Sequence, residues 1–129
     1  MTTIELIAPE HFEIVAKWLS QPAINRWLTA EWRNRAVTPG IVAMAVRNRK
    51  NRLFLVRWEG RSCGLSALAD IDIADATAMV WYVLGESELA GRGIMSEAVR
   101  QLALKSFAEL GLQSLYAWAM ADNVWPRRG

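Results

Sequence analysis

Gly91 and Gly93 stand one residue apart in Glu86-Ser87-Glu88-Leu89-Ala90-Gly91-Arg92-Gly93-Ile94-Met95-Ser96-Glu97-Ala98, just ahead of a helical pattern. Glycine lets a backbone turn tightly and brings its N–H groups close to a ligand. A helix opening behind such a turn adds its unpaired first-turn N–H groups and the positive end of its dipole. That combination binds phosphate or pyrophosphate. A nucleoside-triphosphate loop requires Gly-Lys-Ser/Thr, and no lysine stands here. A dinucleotide fingerprint wants a third glycine where Ser96 stands, and wants the loop after the first strand, whereas several strands precede it here.

Other chemistries have few residues to work with. Cys63 is the sole cysteine, which excludes an intrachain disulfide and a multi-cysteine zinc site. His11 is the sole histidine, so zinc sites built on several histidines are excluded too. A serine–histidine triad would have to recruit His11, and no Gly-x-Ser-x-Gly context exists for its serine. Cys63, within a strand pattern and before Gly64, reads as a small buried residue rather than a nucleophile. His11, on an early helix, reads as an ordinary surface or partly buried residue.

The glycine loop is positioned by the elements around it. Met79-Val80-Trp81-Tyr82-Val83-Leu84 is a continuous apolar run that suits a central strand buried on both faces, ended by Gly85. After the loop, Glu97, Gln101, Lys105 and Glu109 recur every four residues along one helix face. Met95, Val99, Leu102, Ala103, Phe107 and Leu110 are expected on the opposite, buried side. Gly111 closes this helix as a left-handed cap, and Leu112 to Met120 returns as a strand. A strand–helix–strand unit of this kind makes its two strands parallel.

Upstream, Thr2 to Ala8 reads as a first strand and Pro9 as the first turn of a helix reaching about Leu19, burying Phe12, Val15 and Leu19. A second helix follows Ser20-Gln21-Pro22 and carries Ile24, Trp27 and Leu28. Thr38-Pro39 caps a short helix over Ile41 to Val46. Leu53 to Trp58 and Ser62 to Leu68 form a hairpin about Glu59-Gly60, with a looser connection around Asp70 to Asp75.

The chain has 129 residues without repeats or linkers, so a single domain over 1–129 is expected. With 53% hydrophobic and 22% charged residues it builds a core readily, and disorder is not expected. No apolar run reaches the ~20 residues that span a bilayer, and the start lacks a signal-peptide pattern, so a soluble cytoplasmic protein is expected. The net charge is +2, and Arg47-Asn48-Arg49-Lys50-Asn51-Arg52 holds four of the cations. That run reads first as a solvated loop or helix end and only then as a contact to nucleic acid or a phosphate-bearing ligand.

Trp81-Tyr82-Val83-Leu84-Gly85-Glu86 followed by Ala90-Gly91-Arg92-Gly93-Ile94-Met95-Ser96-Glu97-Ala98 resembles the central strand and acyl-CoA loop of GNAT N-acetyltransferases, whose loop pattern is Gln/Arg-x-x-Gly-x-Gly/Ala. It is most similar to the branch that acetylates ribosomal-protein amino termini. The likeness extends more weakly over almost the whole chain, including Trp18-Leu19-Ser20 and Asn25-Arg26-Trp27-Leu28. The resemblance implies an α/β (α+β) fold, a mixed, mostly antiparallel sheet flanked by helices on both faces. It implies acetyl-CoA as co-substrate, no metal, and direct attack of a primary amine on the thioester. The backbone of Trp81, Tyr82 and Val83 would pair with the pantetheine arm, and a backbone N–H there would polarise the carbonyl. The amides of Leu89, Ala90, Gly91, Arg92, Gly93, Ile94 and Met95 would hold the pyrophosphate. The Arg92 side chain would either add charge or face solvent. Asn123 matches the asparagine that touches the pantetheine, and also suits a helix N-cap.

Two departures qualify the resemblance. Glu88 stands where the loop pattern prefers glutamine or arginine, which puts a negative charge near the phosphates. After Asn123 the family continues with a helix, typically carrying a tyrosine that protonates the thiolate, and two further strands; here Val124-Trp125-Pro126-Arg127-Arg128-Gly129 ends the sequence. Tyr82 and Tyr116 both fall in strand patterns, so no general acid is assigned. A bare last strand favours pairing with a second copy of the chain. Glu86 could act as base but reads first as a solvated loop carboxylate, and Asp70 and Asp72 stand no better. Trp27, Trp32 and Trp125 are candidates for lining an acceptor pocket. The rival to an enzyme is a non-catalytic or partner-completed CoA-binding module; an RNA- or ribosome-associated binder using the basic run is a third class.

Overall fold

The structure, a computed structural model, describes residues 1–117. Five strands form one sheet in the order of the sequence: β1 (Thr2–Leu6), β2 (Arg52–Trp58), β3 (Arg61–Asp72), β4 (Thr77–Leu84) and β5 (Ser114–Ala117). The first four pair antiparallel and β4 pairs β5 in parallel, as the strand–helix–strand pattern requires. Glu59 and Gly60 both take positive φ, 51° and 79°, which gives the β2–β3 hairpin a turn whose twist matches its strands.

The sheet separates two layers of helix. On one face lie α1 (Phe12–Ser20), the single turn α2 (Pro22–Asn25) and α3 (Pro39–Arg47). Val15, Trp18, Leu19 and Val42 from this layer are fully buried against Leu53, Leu55, Leu65, Ala67, Trp81 and Val83. Thr38 caps α3 as its sequence predicts, its hydroxyl accepting from Ile41 N–H at 3.2 Å. The second helix is shorter than expected and ends at Asn25. The Asn25 side chain takes over the backbone groups beyond it, donating to the carbonyls of Leu19 and Trp32 at 2.9 and 2.8 Å and accepting from Asn34 N–H at 2.7 Å.

The other face carries α4 (Ile94–Leu110), closed by Gly111 at φ 66° as expected. Its buried stripe is Ile94, Ala98, Leu102 and Ser106, with Val99 and Leu110 half-buried. The expected face is thus rotated, and Phe107 is 44% exposed. The small residues Ala98 and Ser106 let the helix lie close on the sheet, and Ser106 satisfies its own hydroxyl on Leu102 C=O at 2.7 Å. Gln101 on the polar side reaches the C=O of Thr2 at 2.8 Å and so faces the β1 edge rather than bulk water.

β3 runs longer than its pattern suggests because it absorbs two irregularities. One extra residue, Cys63, lies between the pairs Val56↔Gly64 and Arg57↔Ser62. The second falls between Ala69↔Met79 and Asp72↔Thr77, where Asp70 takes φ 50°. No helix among the described residues is long and apolar enough to cross a membrane. The residues on which the expected open sheet edge and its dimer depend lie outside the described ones.

Candidate functional site

The bulge at Cys63 sets the end of β4. Its carbonyl accepts both Gly85 N–H at 2.8 Å and Glu86 N–H at 3.2 Å, so β4 stays tied to β3 up to the point where the chain leaves the sheet. Strand alternation then divides the backbone. Trp81 and Val83 direct their N–H and C=O groups towards β3, and Tyr82 and Leu84 direct theirs to the β5 side. The last β4–β5 pair described is Val80↔Ala117. Trp81 and Val83 send their side chains into the core, where Trp81 meets Trp32 at 5.7 Å between ring centroids. Trp32 is therefore a core residue, while Trp27 is half-buried with the Arg26 guanidinium 5.1 Å from its ring.

Ser87–Leu89 forms one 3-10 turn, and Leu89 is buried against Val56, Cys63, Ile94 and Ala98. This apolar anchor fixes the loop on the sheet while Ala90, Gly91, Arg92 and Gly93 stay exposed. Gly91 and Gly93 take φ 82° and 74°, the left-handed region where a side chain costs about 1–2 kcal/mol. A Cβ built at either meets nothing within 4 Å, so it is conformation rather than crowding that requires glycine in the free protein. Gly93 is the N-cap of α4, and no side chain occupies the cap. The first intrahelical bond runs from Glu97 N–H to Gly93 C=O at 3.2 Å. The amides of Ile94, Met95 and Ser96 thus have no acceptor within the helix and open at the loop.

The charges around this opening balance one another. Glu88, the departure from the loop pattern, is ion-paired with Arg61 at the start of β3. Its own backbone N–H and the Arg61 guanidinium hold its carboxyl below the usual range. Arg61 also lies 3.5 Å from Glu86 Oε1. The Arg92 guanidinium sits 5.2 Å over the Trp58 ring, a cation–π contact. The side chain expected either to add charge or to face solvent is thus exposed but held at the end of β2. Burial pushes the Cys63 thiol up, as suits the inert core residue expected.

Glu86 differs from the solvated carboxylate considered for it. It is half-buried, and its Oε2 accepts from the Trp18 indole N–H at 2.8 Å. Gln21 on α2's entry donates to Gly85 C=O at 3.4 Å. The Trp18 ring fills the space a Gly85 side chain would need, since a Cβ there would lie 2.3 Å from it. Gly85, Glu86, Trp18, Gln21 and Arg61 therefore come together at the end of β4. Asp70 and Asp72 lie at the opposite end of β3 and line a groove of about 650 Å³ with Lys50, Asp75 and Tyr116, apart from the loop. His11 is buried, its Nδ1 accepting from Ala8 N–H at 2.9 Å. Asn123 and Trp125 lie outside the described residues. Trp18, Gln21 and Arg61 carried no local signal, because each meets the site from a distant segment.

Residues 2–128 match the family described as an acetyltransferase (GNAT) domain. The chain belongs to the GNAT acetyltransferase family. Its sheet and helix layers match those of solved GNAT relatives. A structure described as a probable acetyltransferase is 25% identical, with a TM-score of 0.74 over 95% of this chain and 71% of the other. The spermidine N-acetyltransferase SpeG from Vibrio cholerae, solved in complex with CoA and spermine, is 16% identical with a TM-score of 0.76, covering 90% of this chain and 69% of that one. Its F149G mutant is similarly placed, at 16% identity and a TM-score of 0.75. No curated protein sequence matches the chain. In this chain the start of α4, which no side chain caps, follows the end of β4 across the loop that carries Gly91 and Gly93.

Proposed function

We propose that this GNAT domain transfers the acetyl group of acetyl-CoA to a primary amine. The observation that carries the reading is the uncapped α4 N-terminus behind Gly91 and Gly93, both left-handed and both with open space at the α-carbon. Such an opening fits a pyrophosphate, held by the amides of Leu89 to Met95 and favoured by the helix dipole. The ion pair to Arg61 removes the objection raised by Glu88. Beside it, the end of β4 suits pairing with a pantetheine arm and polarisation of the thioester carbonyl through Leu84 on the β5 side, rather than through Trp81 and Val83, whose backbone groups face β3. In this reading Asn123 completes the pantetheine contact.

Transfer requires the acceptor to arrive as, or become, a free amine. Glu86 receives its proton, directly or through water. The amine nitrogen then bonds to the carbonyl carbon, the C–S bond breaks, the nitrogen's surplus proton passes to solvent, and CoA leaves as thiolate to be protonated by solvent. Acceptors to test first are spermidine, because similar folds belong to spermidine N-acetyltransferases, and a peptide amino terminus, because the loop resembles the ribosomal-protein branch. A second reading, a CoA-binding module without turnover, is favoured by one observation: both Glu86 oxygens already have protein partners.

Calorimetric titration with acetyl-CoA, for the parent and for Gly91→Glu, tests the cofactor site. Binding that the substitution abolishes supports it, and no binding by the parent refutes it. Release of CoA thiol with the amine panel then separates transfer from binding alone.

A further inference from the structure

We infer that Trp18 is a positioning residue for Glu86: from α1 it fixes one carboxylate oxygen and leaves the other to take the acceptor's proton. The inference rests on the transfer reading above. A buried tryptophan commonly finds some acceptor for its N–H, and a backbone carbonyl serves as well as any. Here the partner is a carboxylate 68 residues away, bonded at 2.8 Å. A hydrogen bond to a charged group is shorter and stronger than one between neutral groups.

The geometry around that bond confines Glu86 from three sides. Its N–H and that of Gly85 share the Cys63 carbonyl, so its main chain is fixed to the bulge. The Trp18 ring presses on Gly85 so closely that any Cβ there would lie 2.3 Å from it, which fixes β4 against α1. Trp18 itself is 1% exposed, so its indole has one place to be. The two carboxylate oxygens are therefore unequal. Oε2 is held by a buried donor at 2.8 Å, whereas Oε1, among the described residues, meets the half-exposed Arg61 at 3.5 Å. Oε1 is the oxygen that an ammonium group can reach by displacing a long contact. The acceptor's N–H bond breaks, its proton passes to Oε1, and the electron pair stays on nitrogen for attack.

The test is a double-mutant cycle on Trp18→Phe, Glu86→Gln and the pair, with urea unfolding to confirm that each variant folds. Acetyl-CoA affinity is measured by calorimetry, and kcat with a panel of spermidine, butylamine and a short peptide with a free amino terminus. Trp18→Phe keeps a ring in the core while it removes the donor and part of the indole's volume. We expect it to leave acetyl-CoA affinity within about twofold and to lower kcat about tenfold, the effect of a lost hydrogen bond to a charged group. In the Glu86→Gln background it should cost nothing further, because its effect passes through Glu86. Gly85→Ala should reproduce the loss by pushing the ring from the carboxylate with its indole intact. Independent losses that multiply, or an acetyl-CoA affinity that falls as far as kcat, would overturn the role of Trp18. An active parent with an equally active Glu86→Gln overturns this inference and the role of Glu86 as base, and leaves acetyl transfer standing. A parent that binds acetyl-CoA yet acetylates none of the panel overturns the transfer reading as well.

Discussion

Gly93 separates two reasons for a glycine, and the separation is measurable. In the free protein its φ of 74° is the constraint, and an added Cβ has nothing within 4 Å to strike. Gly93→Ala should therefore cost only the left-handed penalty, about 1–2 kcal/mol. With a urea m-value of about 2 kcal/mol/M for a domain of this size, the midpoint should fall by about 0.5–1 M. Gly93→Asn should recover much of that, since asparagine tolerates the left-handed region. Acetyl-CoA affinity should behave differently. If the pyrophosphate approaches the α-carbon at the uncapped helix start, any Cβ intrudes, and both variants should bind at least about tenfold more weakly, a difference of about 1.4 kcal/mol. Urea unfolding and calorimetry on the same preparations measure the two effects separately. If affinity merely follows stability, with Asn restoring both, the glycine serves the turn alone and the proposed close approach is wrong.

Three further outcomes follow from other parts of the structure. Asn25→Ala removes the donor and acceptor of bonds at 2.9, 2.8 and 2.7 Å, so unfolding should become easier by about 3 kcal/mol at roughly 1 kcal/mol each, read as a lowered urea midpoint. Glu97 is held at about 2 by Arg100 and Gln101, below its ordinary 4.5. Its folded-state value is depressed, so its contribution is complete above 4.5 and is lost as pH falls towards 2; the urea-midpoint gap between the parent and Glu97→Gln should shrink from pH 7 to pH 3. Glu88→Gln frees Arg61 of one carboxylate and removes a negative charge beside the loop. Acetyl-CoA should bind about threefold more tightly by calorimetry at low salt, with the gain fading as salt rises.

The elements that the sequence made legible are those whose causes are local. The buried run Met79 to Leu84, the cap at Thr38, the turn at Glu59-Gly60 and the left-handed Gly111 each depend on residues within a few positions, and each stands where its residues predict. The glycine loop belongs with them, because positive φ at Gly91 and Gly93 and an uncapped helix behind them are written in consecutive residues. The phase of α4 was less legible. The helix carries apolar residues on more than one side, and what selects Ile94, Ala98 and Leu102 over Phe107 is how closely small side chains let it approach the sheet.

In the site's charged half the sequence offered Glu86 as a candidate base and Glu88 as a charge near the phosphates, but not what holds either, for a related reason. Glu86 and Glu88 look like two solvated carboxylates in a loop, and their meaning depends on Arg61 and Trp18, which arrive from β3 and α1. Arg61 lies there because the extra residue at Cys63 alters the register at the start of β3. Trp18 lies there because Gly85 offers it a place with no side chain. Gly85 was read only as the end of a strand, and a terminator and a contact surface leave the same letter in the sequence. A bulge and a missing Cβ therefore decide whether Glu86 is an exposed charge or a held carboxylate, and with it which oxygen faces an incoming amine.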